Sequence, residues 1–296
     1  MSEKISSKKN KMALDQIDVD KEFAEEGHGP EMSFLEHLEE LRWRIIRSLG
    51  VIVTLGIALF LVKGWLFESV ILGPFNKDFF SYRMFCHFSE MIGASGTLCF
   101  SPPDLGIQAI GFAEPFITSI KVAFIAGFFV AFPYVFYQFW RFISPGLYDK
   151  ERKVTQGIVI ICSALFFTGV LFGYFIIAPF AINFLGNFVL PGVNNIPTLS
   201  SVISYMVMFT APAGLIFELP IVVYFLSKVG LITPGIMRQY RRHSIIGILM
   251  LAAIITPPDV LTQFLIGIPL YILYELSIFV SWRVEKKNEK EMASEN

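Results

Sequence analysis

Long apolar runs alternate with short charged breaks along this chain, a pattern that predicts an all-α integral membrane protein. Six runs approach the ~20 residues needed to cross a ~30 Å hydrocarbon core. They lie at about 45–66, 115–139, 155–178, 202–227, 244–256 and 262–281. The fifth, Ser244 to Thr256, amounts to only ~20 Å of helix at 1.5 Å per residue. The sixth contains Pro269 and is barely long enough. Two short neighbouring spans would thin the bilayer locally or leave one face pinched.

Ahead of the first run, Met32 to Arg47 has helical rather than spanning periodicity. Phe34, Leu38, Leu41 and Ile45 recur at spacings of four, three and four and form an apolar stripe. Glu36, Glu40, Trp43, Arg44 and Arg47 fall opposite. Ser33 with Glu36 makes a capping box, and Glu40 precedes Arg44 by one turn, a stabilising pair. The expected organisation is a disordered tail over 1–31, a six-helix domain over 32–283 with an extended outside loop at 67–113, and a disordered tail over 284–296.

Charge sets the orientation. Arg42, Arg44 and Arg47 precede the first run. Arg141, Lys150, Arg152 and Lys153 fill the second connection, and Lys228, Arg238, Arg241 and Arg242 the fourth. Arg283, Lys286, Lys287 and Lys290 follow the last run, whereas the other side holds Lys63, Lys77, Arg83 and Lys121. The positive-inside rule then predicts both termini in the cytoplasm. The acidic, Arg-poor first tail resembles neither a signal nor a transit peptide. A net charge of −1 points to no particular partner, and no nucleic acid is expected.

Glu218 stands near the middle of Ile203–Leu226, where an ionisable group costs at least ~2.5 kcal/mol by insertion scales. It is therefore a candidate functional residue. Two other readings stand beside that one: a structural acid bonded across helices to Ser, Thr or Tyr, and a proton relay in a small-solute transporter with Glu275 as second acid. Glu151 falls in the first turn of the third span, where the helix dipole favours an acid. With Glu40 it also offers carboxylates at the cytoplasmic interface, suited to bidentate capture of guanidinium groups. Asp259 is read as an N-cap or early-turn acid of the last span. Cys162 reads as a small apolar packing residue. Cys86 and Cys99 share the outside loop and are expected to form a disulfide worth ~3 kcal/mol, the alternative being two reduced, packed thiols.

Catalytic constellations are poorly represented. Gly93-Ala-Ser-Gly96 has a rhomboid-like form but lies in the outside loop, and none of His28, His37, His87 and His243 sits inside a confident span. No His-Glu-x-x-His zinc motif is present. The chain is not read as an enzyme, and no cofactor or metal is expected.

Five fragments share one further pattern. Met32-Ser-Phe-Leu-Glu-His-Leu-Glu-Glu-Leu-Arg42 resembles the N-terminal signature of TatC, the receptor subunit of the twin-arginine protein translocase. Trp140-Arg-Phe-Ile-Ser-Pro-Gly-Leu-Tyr148, Glu151-Arg152, Phe217-Glu-Leu-Pro220, and Thr256-Pro-Pro-Asp-Val260 with Gln263 follow in the family's order over roughly 32–281. The resemblance implies a concave, glove-like wall of six helices, which Pro133, Pro212, Pro220 and Pro269 suit as sites of bending. By position, Glu40 and Glu151 match the carboxylates that recognise the paired arginines of a signal peptide, with Arg42 and Phe142 as neighbours. Glu218 matches the family's intramembrane acid, and Gln263 a polar residue near partner contacts. The resemblance further implies location in the bacterial inner membrane, TatA- and TatB-type single-span partners, self-association, and export of folded precursors driven by the proton-motive force. Two features depart from the family pattern: the long outside loop with its cysteine pair, and about thirty extra N-terminal residues.

Overall fold

A computed structural model describes residues 34–91, 93, 99–143, 155–192, 195–255 and 260–295. By packing, the chain divides into a unit ending at Arg47 and a second from Ser48 onward. Helix α1, Phe34–Leu61, passes through the division without a break, so the amphipathic segment and the first apolar run are one element. After it come a π turn at Leu66–Ile71, a 3-10 turn at Gly73–Phe75 and helix α2 at Phe80–Met91.

Helix α3, Glu114–Ile143, approaches α1 closely. A Cβ on Gly127 would stand 2.8 Å from the Gly56 nitrogen and 3.0 Å from the Ile52 carbonyl, so only glycine allows this crossing. Helix α4, Thr155–Phe172, widens into a π turn at Gly173–Ile177 and continues as α5, Ala178–Asn187. Pro179 has no N–H to give the Phe175 carbonyl, and the wider winding absorbs the missing bond. The third apolar run is therefore helical well beyond 178, where the hydropathy pattern ends it.

Helix α6, Leu199–Ile216, is capped by the Thr198 hydroxyl, which accepts from the Ser201 N–H at 3.2 Å. Helix α7, Leu219–Lys228, follows after a two-residue break. Then come α8, Pro234–Gln239, α9, Arg241–Ile255, and α10, Val260–Glu295. Among the described residues, five helical stretches are long and apolar enough to cross a membrane: Leu38–Leu61, Glu114–Phe142, Gly157–Asn187, Leu199–Lys228 and Gln263–Lys290. The remaining expected span is α9, whose 15 residues reach ~22 Å.

The tail expected to be disordered from 284 is instead helical to Glu295. Glu285 to Ala293 contains strong helix formers and neither Gly nor Pro, and α10 already supplies the nucleus, so each added turn only propagates. Low hydrophobicity was a poor guide to helicity at this end.

The main core joins the end of α4, α5, α6, α9 and α10 around Ile177, Phe209, Ala213, Phe217, Ala252 and Leu270. Gly169 and Gly173, spaced as a small-xxx-small pair, bring α4 against α6. A Cβ on Gly169 would lie 2.6 Å from the Ala213 carbonyl, and one on Gly173 would overlap the Phe209 carbonyl. On the other side of the bilayer from the Lys/Arg-rich connections, aromatic rings cap the bundle. Phe79 stacks on Phe175 at 5.5 Å, and Phe100 meets Phe180 at 4.6 Å. Tyr82 donates to the Pro74 carbonyl at 2.7 Å, and burial pushes its hydroxyl well above the ordinary phenol range. Cys86 on α2 and Cys99 are joined as a disulfide, with Cα atoms 4.3 Å apart, which ties α2 to the segment that carries Phe100.

Candidate functional site

Within the first unit, Glu40 and Arg44 sit one turn apart on α1 and form an ion pair. The helix itself positions both groups, since residues four apart share a face. Arg44 is buried, Arg42 exposed, and the Glu40 side chain keeps 29% of its exposure. Arg44 Nη2 donates to Oε1, and Oε2 is buried without a hydrogen-bond partner. A carboxylate offers about four lone-pair sites, so a held Glu40 retains capacity for a second, incoming guanidinium.

In the second unit, Phe142 is half-buried at the last turn of α3, two residues beyond the buried Trp140. Glu151 lies outside the described residues, as do Asp259 and the Ser33 of the capping box.

Glu218 occupies the break between α6 and α7. Pro220 cannot donate to the Ile216 carbonyl, so the winding tightens. The Glu218 N–H bonds Leu215 at 3.2 Å, three residues back, and Ile221 bonds the Glu218 carbonyl at 3.0 Å. The apolar stretch expected as one helix is thus two, with the acid at the joint. Glu218 is 9% exposed, and neither carboxyl oxygen makes a hydrogen bond of normal geometry. Among the described residues no Ser, Thr or Tyr hydroxyl reaches it, which removes the cross-helix structural reading. Among the described residues, the polar group beside it is the fully buried Cys162 thiol, a weak donor. Cys162 in turn packs in a cluster with Trp140 and Ile158, and the Trp140 Nε1–H is also buried without an acceptor. Cys162 thus packs in the core as expected, with its thiol beside the acid.

Gln263 and Glu275 have partners. Gln263 donates to the Leu249 carbonyl at 3.1 Å, joining α10 to α9. Arg241 donates to Glu275 at 2.6 Å, and Tyr271 to its other oxygen at 2.9 Å. Glu114 escaped the sequence reading. It opens α3 and accepts the N–H groups of Ile110 at 2.8 Å, Gly111 at 3.2 Å and Ser200 at 2.9 Å. The acid thereby clips the loop before α3 to the start of α6, next to a parallel bridge between Gln108 and Thr198. A Glu-Pro pair soon after Gly111 signals a helix start, but the contact with Ser200, 86 residues away, leaves no local trace.

Residues 36–269 match the family model described as Sec-independent protein translocase protein (TatC). This chain belongs to the TatC family. It is 39% identical over 259 residues to the Sec-independent protein translocase protein TatC of Blattabacterium sp. subsp. Periplaneta americana, covering 87% of this chain and 97% of that protein. Against TatCy of Bacillus subtilis the identity is 31% over 266 residues, covering 90% and 94% of the two chains. The crystal structure of a twin arginine translocase receptor, TatC, aligns with a TM-score of 0.64 at 34% identity, covering 84% of this chain and 100% of that one. The family match spans Glu40, Arg42, Phe142, Glu151, Glu218 and Gln263. As a TatC-family protein the chain is a multi-pass membrane component of the Tat translocase, and it serves protein transport.

Proposed function

We propose that this Tat component is the receptor that binds twin-arginine signal peptides of folded precursors at the cytoplasmic face, through Glu40 and Glu151 with Arg42 and Phe142 beside them. The observation that carries the reading is Glu40 itself: a carboxylate held on a helix by Arg44, with a buried second oxygen, Oε2, that has no hydrogen-bond partner. Paired guanidiniums suit such acceptors in a planar, bidentate way that ammonium groups do not copy. Both termini are placed in the cytoplasm from the Lys/Arg distribution, with the domain at 32–283 lying in the inner membrane. Photocrosslinking of the reconstituted protein to a signal peptide bearing Arg-Arg, beside one bearing Lys-Lys, tests this. Strong capture of the first and weak capture of the second is expected, and equal capture of both would refute the receptor role.

Glu218 and Gln263 are assigned to the organisation of TatA- and TatB-type single-span partners and of neighbouring copies within the complex, which exports at the expense of the proton-motive force. For Glu218 the supporting observation is a buried carboxyl without a hydrogen-bond partner, at a helix break. A neutral acid there donates to a polar side chain on a partner helix. Glu218→Gln keeps that donor and the shape, so it should retain most partner crosslinking and export, while Glu218→Ala should weaken both. If Gln is as damaging as Ala, ionisation or proton transfer matters instead; if Ala is harmless, the residue has no role. The transporter reading is not favoured, because its second acid, Glu275, is bound by Arg241 and Tyr271.

A further inference from the structure

Helices α7 and α10 end on the same face of the membrane. The Ser227 and Ser281 hydroxyls meet in a buried contact at 2.7 Å, and Val223 and Ile278 share a packed cluster one turn earlier. Beyond that level α10 becomes cationic. Arg283, Lys286, Lys287 and Lys290 follow the spacing i, i+3, i+4, i+7, so they share one helix face, and all four are exposed. Glu285 and Glu289 fall on the other side of the helix.

Long helical side chains lean toward the helix N-terminus, which here is back toward the bilayer. The Arg283 guanidinium lies 4.5 Å from the Phe279 ring centre, and the Lys286 ammonium 5.1 Å from that of Trp282. At the end of α7, Lys228 lies 5.9 Å over Tyr224. Phe279 and Trp282 stack on each other at 5.9 Å and are both partly exposed. Aromatic residues of this kind mark the edge of the hydrocarbon. Arg283 and Lys286 are thus drawn back toward a pair of rings of the kind that marks the edge of the hydrocarbon. A soluble acidic segment would have to enter the headgroup layer to reach them.

We propose that this face of α10 binds the phosphate-bearing headgroups of anionic phospholipid in the leaflet where α7 and α10 end. The surface works by charge and by cation–aromatic anchoring together, so it distinguishes anionic from zwitterionic lipid. It is independent of which peptide the protein recognises.

Native mass spectrometry of the full-length protein in detergent, titrated with phosphatidylglycerol and separately with phosphatidylcholine, tests the proposal. Phosphatidylglycerol should bind in preference. The R283Q/K286Q variant should bind it about 30-fold more weakly, the combined effect of two cations removed from an anionic surface, whereas R283K/K286R should bind as wild type. No preference for phosphatidylglycerol in the wild type, or equal binding by R283Q/K286Q, overturns the assignment. So does displacement of bound lipid by glycerol phosphate or by soluble polyglutamate, which would give the surface to a free anion or to an acidic protein segment. The wild-type preference stands as a measurement even where the variant does not fold.

Discussion

Alanine at Glu40 or at Glu151 is expected to lower affinity for a twin-arginine signal peptide at least about tenfold, with the protein still folded and inserted. A hydrogen bond to a charged group contributes about 1.5–3 kcal/mol, and ~1.4 kcal/mol is a factor of ten. Removal of Glu40 also leaves Arg44, now buried at 8% exposure, without its carboxylate. Glu40→Ala therefore combines two losses, and Arg44→Gln separates them. If Arg44→Gln binds nearly as well as wild type while Glu40→Ala does not, the carboxylate acts on the peptide directly. If the two variants fall together, Glu40 serves mainly to hold Arg44. Binding by fluorescence anisotropy of a labelled peptide, with circular dichroism as the folding control, reads the difference. Peptide affinity unchanged in both Glu40→Ala and Glu151→Ala would remove these carboxylates from the site.

Gly173→Ala is expected to destabilise the bundle by about 1–3 kcal/mol, the usual range for inserting a methyl into a tight core. The added Cβ would overlap the Phe209 carbonyl and stand 2.9 Å from the Thr210 Cα, both backbone atoms of α6 that cannot swing away. The helices must separate instead, which loosens the core around Phe209 and Ala213. Gly247→Ala is the matched control, because a Cβ there meets nothing within 4 Å. In α9 it should be neutral or slightly stabilising, since alanine is the better helix former. Thermal midpoints of the two variants in one detergent decide it. Equal midpoints would mean that α4 and α6 do not cross as closely as described.

Much of the molecule was legible from composition and period alone. Hydrophobic runs located the helices because the bilayer demands a near-continuous apolar stretch wherever the backbone bonds within itself. The Glu40–Arg44 pair was readable because its members lie one turn apart. The TatC motifs likewise sit in short, ordered fragments, so their order along the chain was enough to suggest the family that the match over 36–269 establishes.

Only the tertiary structure decided the surroundings of Glu218. Its depth and the nearby Pro220 were visible in the chain, yet its neighbour Cys162 comes from another helix and its lack of a hydroxyl partner depends on how the helices rotate. The same holds for the Glu114 clip onto Ser200 and for the contact of Gly173 with α6. Hydropathy also set the boundaries wrongly, ending the third run near 178 and the last near 281, because polarity reports where lipid stops and not where a helix stops. Local order follows from interactions within one or two turns, which the sequence determines. Contacts between residues tens of positions apart follow from helix rotation and crossing distance, which are set by the close packing of many side chains at once.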